Sequence, residues 1–160
     1  MNCNYVKQIF NKCINQEKKY IIQRFLKNLR LPKKCTVVIN KIEELNTKRF
    51  ITNSIELYHT IDSFNQNDII KSIKYNGLRP GSACNKGYGV YLSSHSKYSL
   101  LWQINNPVIV CDVLYDKNKV KRYRAEVGNG KKDEYEYVIS QPNLIIPKYI
   151  FYFFLLFIRF

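Results

Sequence analysis

The sequence predicts an α+β fold, and three observations carry that expectation. Apolar residues near its start recur at helical spacing. Several short β-branched and aromatic runs follow, separated by turn residues. Helices do not alternate regularly with these runs, which argues against a parallel βαβ sheet. At 160 residues the chain suits a single domain, 1–160, large enough to bury a core without a metal or a disulfide.

Residues 5–30 read as a helix, because Val6, Ile9, Phe10, Cys13 and Ile14, then Ile21, Ile22, Phe25, Leu26 and Leu29, fall three and four apart. Pro32 ends it. Residues 36–42 are β-branched and strand-like, 46–53 a short helix or turn, and 55–59 a strand. Residues 68–75 read as a helix, with Asn67 or Asp68 as cap and Asn76-Gly77 as stop. A loop over 80–87 leads to a strand at 89–92, and 97–103 suits a helix. Residues 108–114 form a strongly apolar strand, and 115–133, polar and containing Gly128 and Gly130, read as loop. Strands at 135–139 and 148–155 complete the set. The apolar run from Tyr149 to Ile158 is too short for a spanning helix, which needs about 20 residues, and reads as a buried strand.

Net charge is +14, with 26 Lys and Arg against 12 Asp and Glu. Two readings compete: compositional drift, since Lys, Asn, Ile and Tyr are frequent throughout, and a nucleic-acid or phosphate-rich partner. The cations are scattered and form no single tract, which favours drift. The five cysteines form no CxxC pair, and neither histidine lies at ligand spacing to them, so no metal site is expected. An odd cysteine count and the lack of a signal-peptide profile suggest an intracellular protein, cytoplasmic or nuclear.

Chemistry concentrates in three strand-like pieces. His59, one of two histidines, closes the first; Tyr91 follows Gly87-Tyr88-Gly89-Val90 on the second; Glu136 opens the third. A histidine, a tyrosine and a glutamate on separate strands suit a ligand with a flat ring, ribose hydroxyls and a cationic bond to break. Glu134 and His95 read as surface residues.

Five pieces in this order resemble the catalytic domain of the poly(ADP-ribose) polymerases and related mono-ADP-ribosyltransferases, over about residues 17–152. Leu57-Tyr58-His59-Thr60 is similar to L-[YWF]-H-G-[ST], Gly77-Leu78-Arg79 to G-[LF]-R, and Gly87 to Ser93 to G-K-G-[IT]-Y-F-A. Tyr135 to Ile139 is similar to x-E-Y-[IV]-V, and Val38 to Asn46 to K-I-E-R-[IV]-Q-N. The resemblance implies an ADP-ribosyltransferase fold: two packed, mostly antiparallel sheets with an N-terminal helix around an NAD cleft. It implies His59, Tyr91 and Glu136 as catalytic residues. His59, Thr60, Arg79, Tyr91, Tyr98, Ser99 and Trp102 would hold NAD, the last two placed by their distance after Tyr91. NAD would be a substrate, no metal would take part, and the acceptor would be a protein or a nucleic acid. Thr60 stands where the family has glycine, residues 61–67 add loop, and the loop over 80–86 is short. Two other functions remain open: a non-catalytic NAD or ADP-ribose binding module, and a basic nucleic-acid-binding domain.

Overall fold

The computed structural model describes residues 16–29, 35–45, 53–61, 65–81, 86–96, 106–124 and 134–157. Helix α1 spans Gln16–Leu29. Its Ile21, Ile22, Phe25 and Leu29 lie on one face and are buried, which is why this stretch is helical and why it docks. The helix expected upstream, over 5–15, lies outside the described residues, as do the turn expected at 46–52 and the helix expected at 97–103. Strands follow at Cys35–Glu44 (β1), Ser54–Thr60 (β2), Val90–Ser93 (β3), Val108–Leu114 (β4), Val120–Arg124 (β5), Tyr135–Ile139 (β6) and Ile145–Phe157 (β7). Helix α2, Gln66–Asn76, sits between β2 and β3 in sequence.

The ends of β1, β2, β3 and β7 shift by one to three residues from the sequence reading, and two further differences concern α2 and β5. Helix α2 begins at Gln66, and its cap position is Asn65, in the left-handed region at φ 61°. The Asn65 carbonyl accepts from the N–H groups of Asp68 and Ile69, so Asn67 and Asp68 are already inside the first turn. Its end is as expected: Gly77 at φ 73° donates its N–H to the Ile73 carbonyl. Strand β5 lies within the stretch read as loop. Its sequence, VKRYR, has one buried residue, Val120, so the apolar signal of a strand is missing.

Among the described residues all pairings are antiparallel and form one seven-stranded sheet, in the order β1-β7-β4-β2-β3-β6-β5, where two packed sheets were expected; the Tyr58↔Ser93 pair makes the sheet continuous. Two blocks make up this order. Strands β1, β7, β4 and β2 pair along long ladders, and β3, β6 and β5 form a second ribbon. One ladder pair, Tyr58↔Ser93, joins the blocks. Helix α1 covers one face, where Phe25 stacks on Phe151 at 4.3 Å between ring centroids and meets Phe153 edge-on at 5.6 Å. Helix α2 covers the other through Ile70 and Ile73, against Leu57, Ile109, Leu92 and Ile139. Ser96, fully buried, donates its hydroxyl to the Phe25 carbonyl at 3.0 Å and so ties α1 to the segment after β3.

Candidate functional site at the split between two strands

The junction of the two blocks holds the residues of interest. Strand β2 pairs with β4 from Ser54↔Leu114 to Thr60↔Val108. The Ile61 N–H donates to the Pro107 carbonyl at 3.1 Å, which sets the phase of that ladder. Leu57 and His59 therefore turn their backbone groups toward β4, and Tyr58 and Thr60 turn theirs toward β3. Tyr58 meets Ser93 there. Continued by one more step, the register would set Thr60 against Tyr91. The Tyr91 carbonyl instead meets His59 Nδ1 at 2.8 Å. A side-chain donor has replaced a backbone donor, and the sheet parts at that point.

This bond fixes the protonation of the ring. A carbonyl only accepts, so Nδ1 carries the hydrogen, and Nε2 of the neutral imidazole is an acceptor. Burial holds the His59 pKa below its ordinary value, opposed by the Tyr91 bond, although the ring keeps partial contact with solvent. Among the described residues Nε2 has no partner.

Alternation assigns His59 to the Leu57 side of the sheet and Tyr91 and Glu136 to the other, with the imidazole reaching along the split between them. Tyr91 stands opposite Val138, and Ser93 opposite Glu136. Tyr91 and Glu136 are therefore diagonal neighbours on one face, at about 7–8 Å between Cα atoms in such pairs. The Tyr91 hydroxyl donates to the Gly87 carbonyl at 2.5 Å, which holds the half-buried ring over the preceding turn. Both glycines of Gly87-Tyr88-Gly89 have a physical reason. Gly87 has φ 100°. A Cβ on Gly89 would lie 2.7 Å from Val138 Cγ1 and 3.1 Å from the Ile139 carbonyl oxygen. Gly89 also exchanges two backbone hydrogen bonds with Gly81, each 3.0 Å, which closes the loop between them.

Glu136 is 8% exposed, and its carboxylate accepts a hydrogen bond from Lys86 within an ion pair. Lys86 also lies over the Tyr123 ring at 5.4 Å, and Tyr123 stands opposite Glu136 on β5. Ser94 anchors this end of β6: its N–H donates to the Tyr135 carbonyl and its Oγ accepts from the Tyr135 N–H, both at 2.9 Å.

The structure thus brings His59, Thr60, Tyr91 and Glu136 to one junction, with His59 rooted on one face of the sheet and Thr60, Tyr91 and Glu136 on the other. Arg79 is exposed after the buried Leu78 and forms no hydrogen bond or ion pair with them. Tyr98, Ser99 and Trp102 lie outside the described residues. Two readings of the sequence need correction. Glu134, expected at the surface, is 6% exposed, at the entry to β6. His95, also expected there, is half-buried, with Nδ1 2.9 Å from Ser94 Oγ. Lys86 was not singled out from the sequence; a cation beside a Gly-x-Gly is a weak signal until the carboxylate it meets is known.

A separate cavity of about 350 Å³ lies between the ends of β1 and α2 and contains none of these residues. There Glu43 accepts from Lys74 and from the Tyr152 hydroxyl, and the Lys74 bond holds its carboxyl below the usual range. No known family profile matches the chain, and comparison with characterised proteins finds no match. Among the described residues no helix is long and apolar enough to cross a membrane.

Proposed function

We propose that the chain is an NAD-dependent ADP-ribosyltransferase that moves ADP-ribose to a protein or nucleic-acid acceptor and releases nicotinamide. The observation that supports this most is the placement of a buried carboxylate, Glu136, diagonal to Tyr91 beside a split whose His59 offers a bare acceptor nitrogen. In this reading the nicotinamide ring lies against Tyr91, and a ribose hydroxyl donates to His59 Nε2. The Thr60 backbone groups, turned into the split, face the carboxamide. The bond between the ribose carbon and the nicotinamide nitrogen breaks, and its electron pair neutralises the pyridinium. The ribose carbon becomes cation-like, and the Glu136 carboxylate stabilises that charge. An acceptor oxygen or nitrogen then attacks and loses its proton, for which Glu136 is the nearest base.

The Lys86 ion pair supports a second reading. It offsets the carboxylate charge, so NAD has to part the pair before Glu136 can act on the ribose. A module that binds NAD or ADP-ribose without turnover would leave it closed.

Nicotinamide release by the purified chain separates the readings. The expected result is release that falls about 100- to 1,000-fold in Glu136→Gln, by analogy with loss of one transition-state donor, while NAD binding persists. Equal release by the variant removes the catalytic role of Glu136. Binding without release supports the module, and no binding of NAD or ADP-ribose ends both.

A further inference from the structure

We infer that the β5 edge of the sheet is a binding surface for single-stranded nucleic acid, distinct from the split between β2 and β3. The cations are scattered over the chain as a whole, but Lys117, Lys119, Lys121, Arg122 and Arg124 fall within eight positions. A run of cations on an exposed strand is usually only a solvated face, and two features set this one apart.

The first is its pairing with aromatic rings. On β5, Val120, Arg122 and Arg124 share one face; Val120 is buried against the core, while Arg122 and Arg124, opposite Tyr137 and Tyr135 on β6, are exposed at the rim of that face. The Arg122 guanidinium lies 4.5 Å from the Tyr135 ring centroid. Tyr115, just after β4, is 37% exposed, and it and Arg122 are both close enough to Tyr137 to affect its ionisation. The second feature is the lack of acidic partners. Among the described residues no carboxylate pairs with Lys121, Arg122 or Arg124. Nearby Asp116 is taken by Lys119 at 3.7 Å and by the Asn118 N–H at 2.9 Å, and Glu136 by Lys86.

Arg122 and Arg124, two positions apart on one face of β5, stand roughly 7 Å apart and suit successive phosphates of an extended polynucleotide. The exposed Tyr115 ring and the Arg122 guanidinium plane suit unstacked bases, which a bare polyanion or a lipid headgroup lacks. Charge and ring together favour a single strand over either.

The test uses the full chain and a fluorescein-labelled single-stranded DNA of about 20 nucleotides, a length that spans one such site, with binding read by anisotropy across a salt series. The double variant Arg122→Ala/Arg124→Ala should lose about tenfold or more in affinity and show a shallower salt slope. The double variant Lys19→Ala/Lys71→Ala removes two exposed cations from the helices and should lose less than about threefold, since it changes only the general field. Tyr115→Ala should weaken oligonucleotide binding and leave inorganic polyphosphate binding unchanged. Glu136→Gln removes the charge that Lys86 pairs with beside Tyr123 and should bind the oligonucleotide no more weakly than the parent, which keeps this result separate from the loss expected for ADP-ribosyl transfer. Absence of binding by the parent chain overturns the proposal. So do equal losses in the two double variants, which point to net charge alone. Phosphatidylserine vesicles or polyphosphate that bind as tightly as the oligonucleotide, with no effect of Tyr115→Ala, overturn it too. All substituted side chains but Glu136 are exposed, so unchanged thermal melting confirms that folding is intact.

Discussion

The two blocks of the sheet are built on different physics. The block of β1, β7, β4 and β2 is held by long ladders and an aromatic cluster under α1, with Phe25, Phe151 and Phe153 in contact. The ribbon of β3, β6 and β5 is short, carries Glu136, Arg122 and four tyrosines, meets Lys86 from the turn before β3, and touches its neighbour at one ladder pair. Aromatic packing is concentrated in the first block and the ion-paired carboxylate and exposed arginines in the second, with His59 on β2 at the boundary. The lesson is that a carboxylate and an open edge need a scaffold that does not depend on them.

The largest expected effect breaks that contrast if it fails. Phe25→Ala removes a fully buried ring that contacts two others, and should cost about 3–5 kcal/mol of unfolding free energy in a urea titration. A cost comparable to that of an exposed site would mean that α1 is not the keystone. Next is Gly89→Ala. Its new methyl would meet Val138 and the Ile139 carbonyl, so β3 has to move off β6, at about 1–3 kcal/mol. Because the shift displaces Tyr91 relative to Glu136, the same variant should lose more in NAD binding than in stability. Equal losses would show that the ribbon tolerates rearrangement.

The smallest effect is a pH dependence from His59. Its folded pKa lies below the ordinary 6.5, so the unfolded chain binds the extra proton first as pH falls. The contribution of the neutral ring to stability is complete above about 6.5 and is lost progressively below it. His59→Gln, which keeps a donor for the Tyr91 carbonyl, should flatten the stability profile between about pH 5 and 6.5. A parent profile already flat there would mean that the ring does not resist protonation.

Much of this arrangement is legible in the sequence, and the exceptions are instructive. Residues 108–114 and 135–139 announce themselves because both are apolar and bounded by turns, and they are β4 and β6 with the same ends. Strand β5 escapes notice because an edge strand that exposes three of its five residues, Lys121, Arg122 and Arg124, shows no alternating apolar signal. At the site, the order of His59, Tyr91 and Glu136 is readable, and so is a need for glycine before Tyr91. The ring of His59 in place of a backbone donor is not readable, because it depends on the register of two strands and not on any local pattern. The same holds for Lys86, whose meaning comes from a carboxylate fifty positions away.

The strand order also has a kinetic consequence. Strand β7 lies between β1 and β4, both of which precede it in sequence, and Cys35 stands opposite Phe157. The best-packed part of the molecule is thus made of its most distant contacts. Loops that long have to close before the aromatic cluster rewards them, which places the chain among high-contact-order folders that take milliseconds to seconds. Until β7 docks, β1 and β4 each present a bare apolar edge, and a nascent or heated chain is most exposed to intermolecular pairing at those two strands.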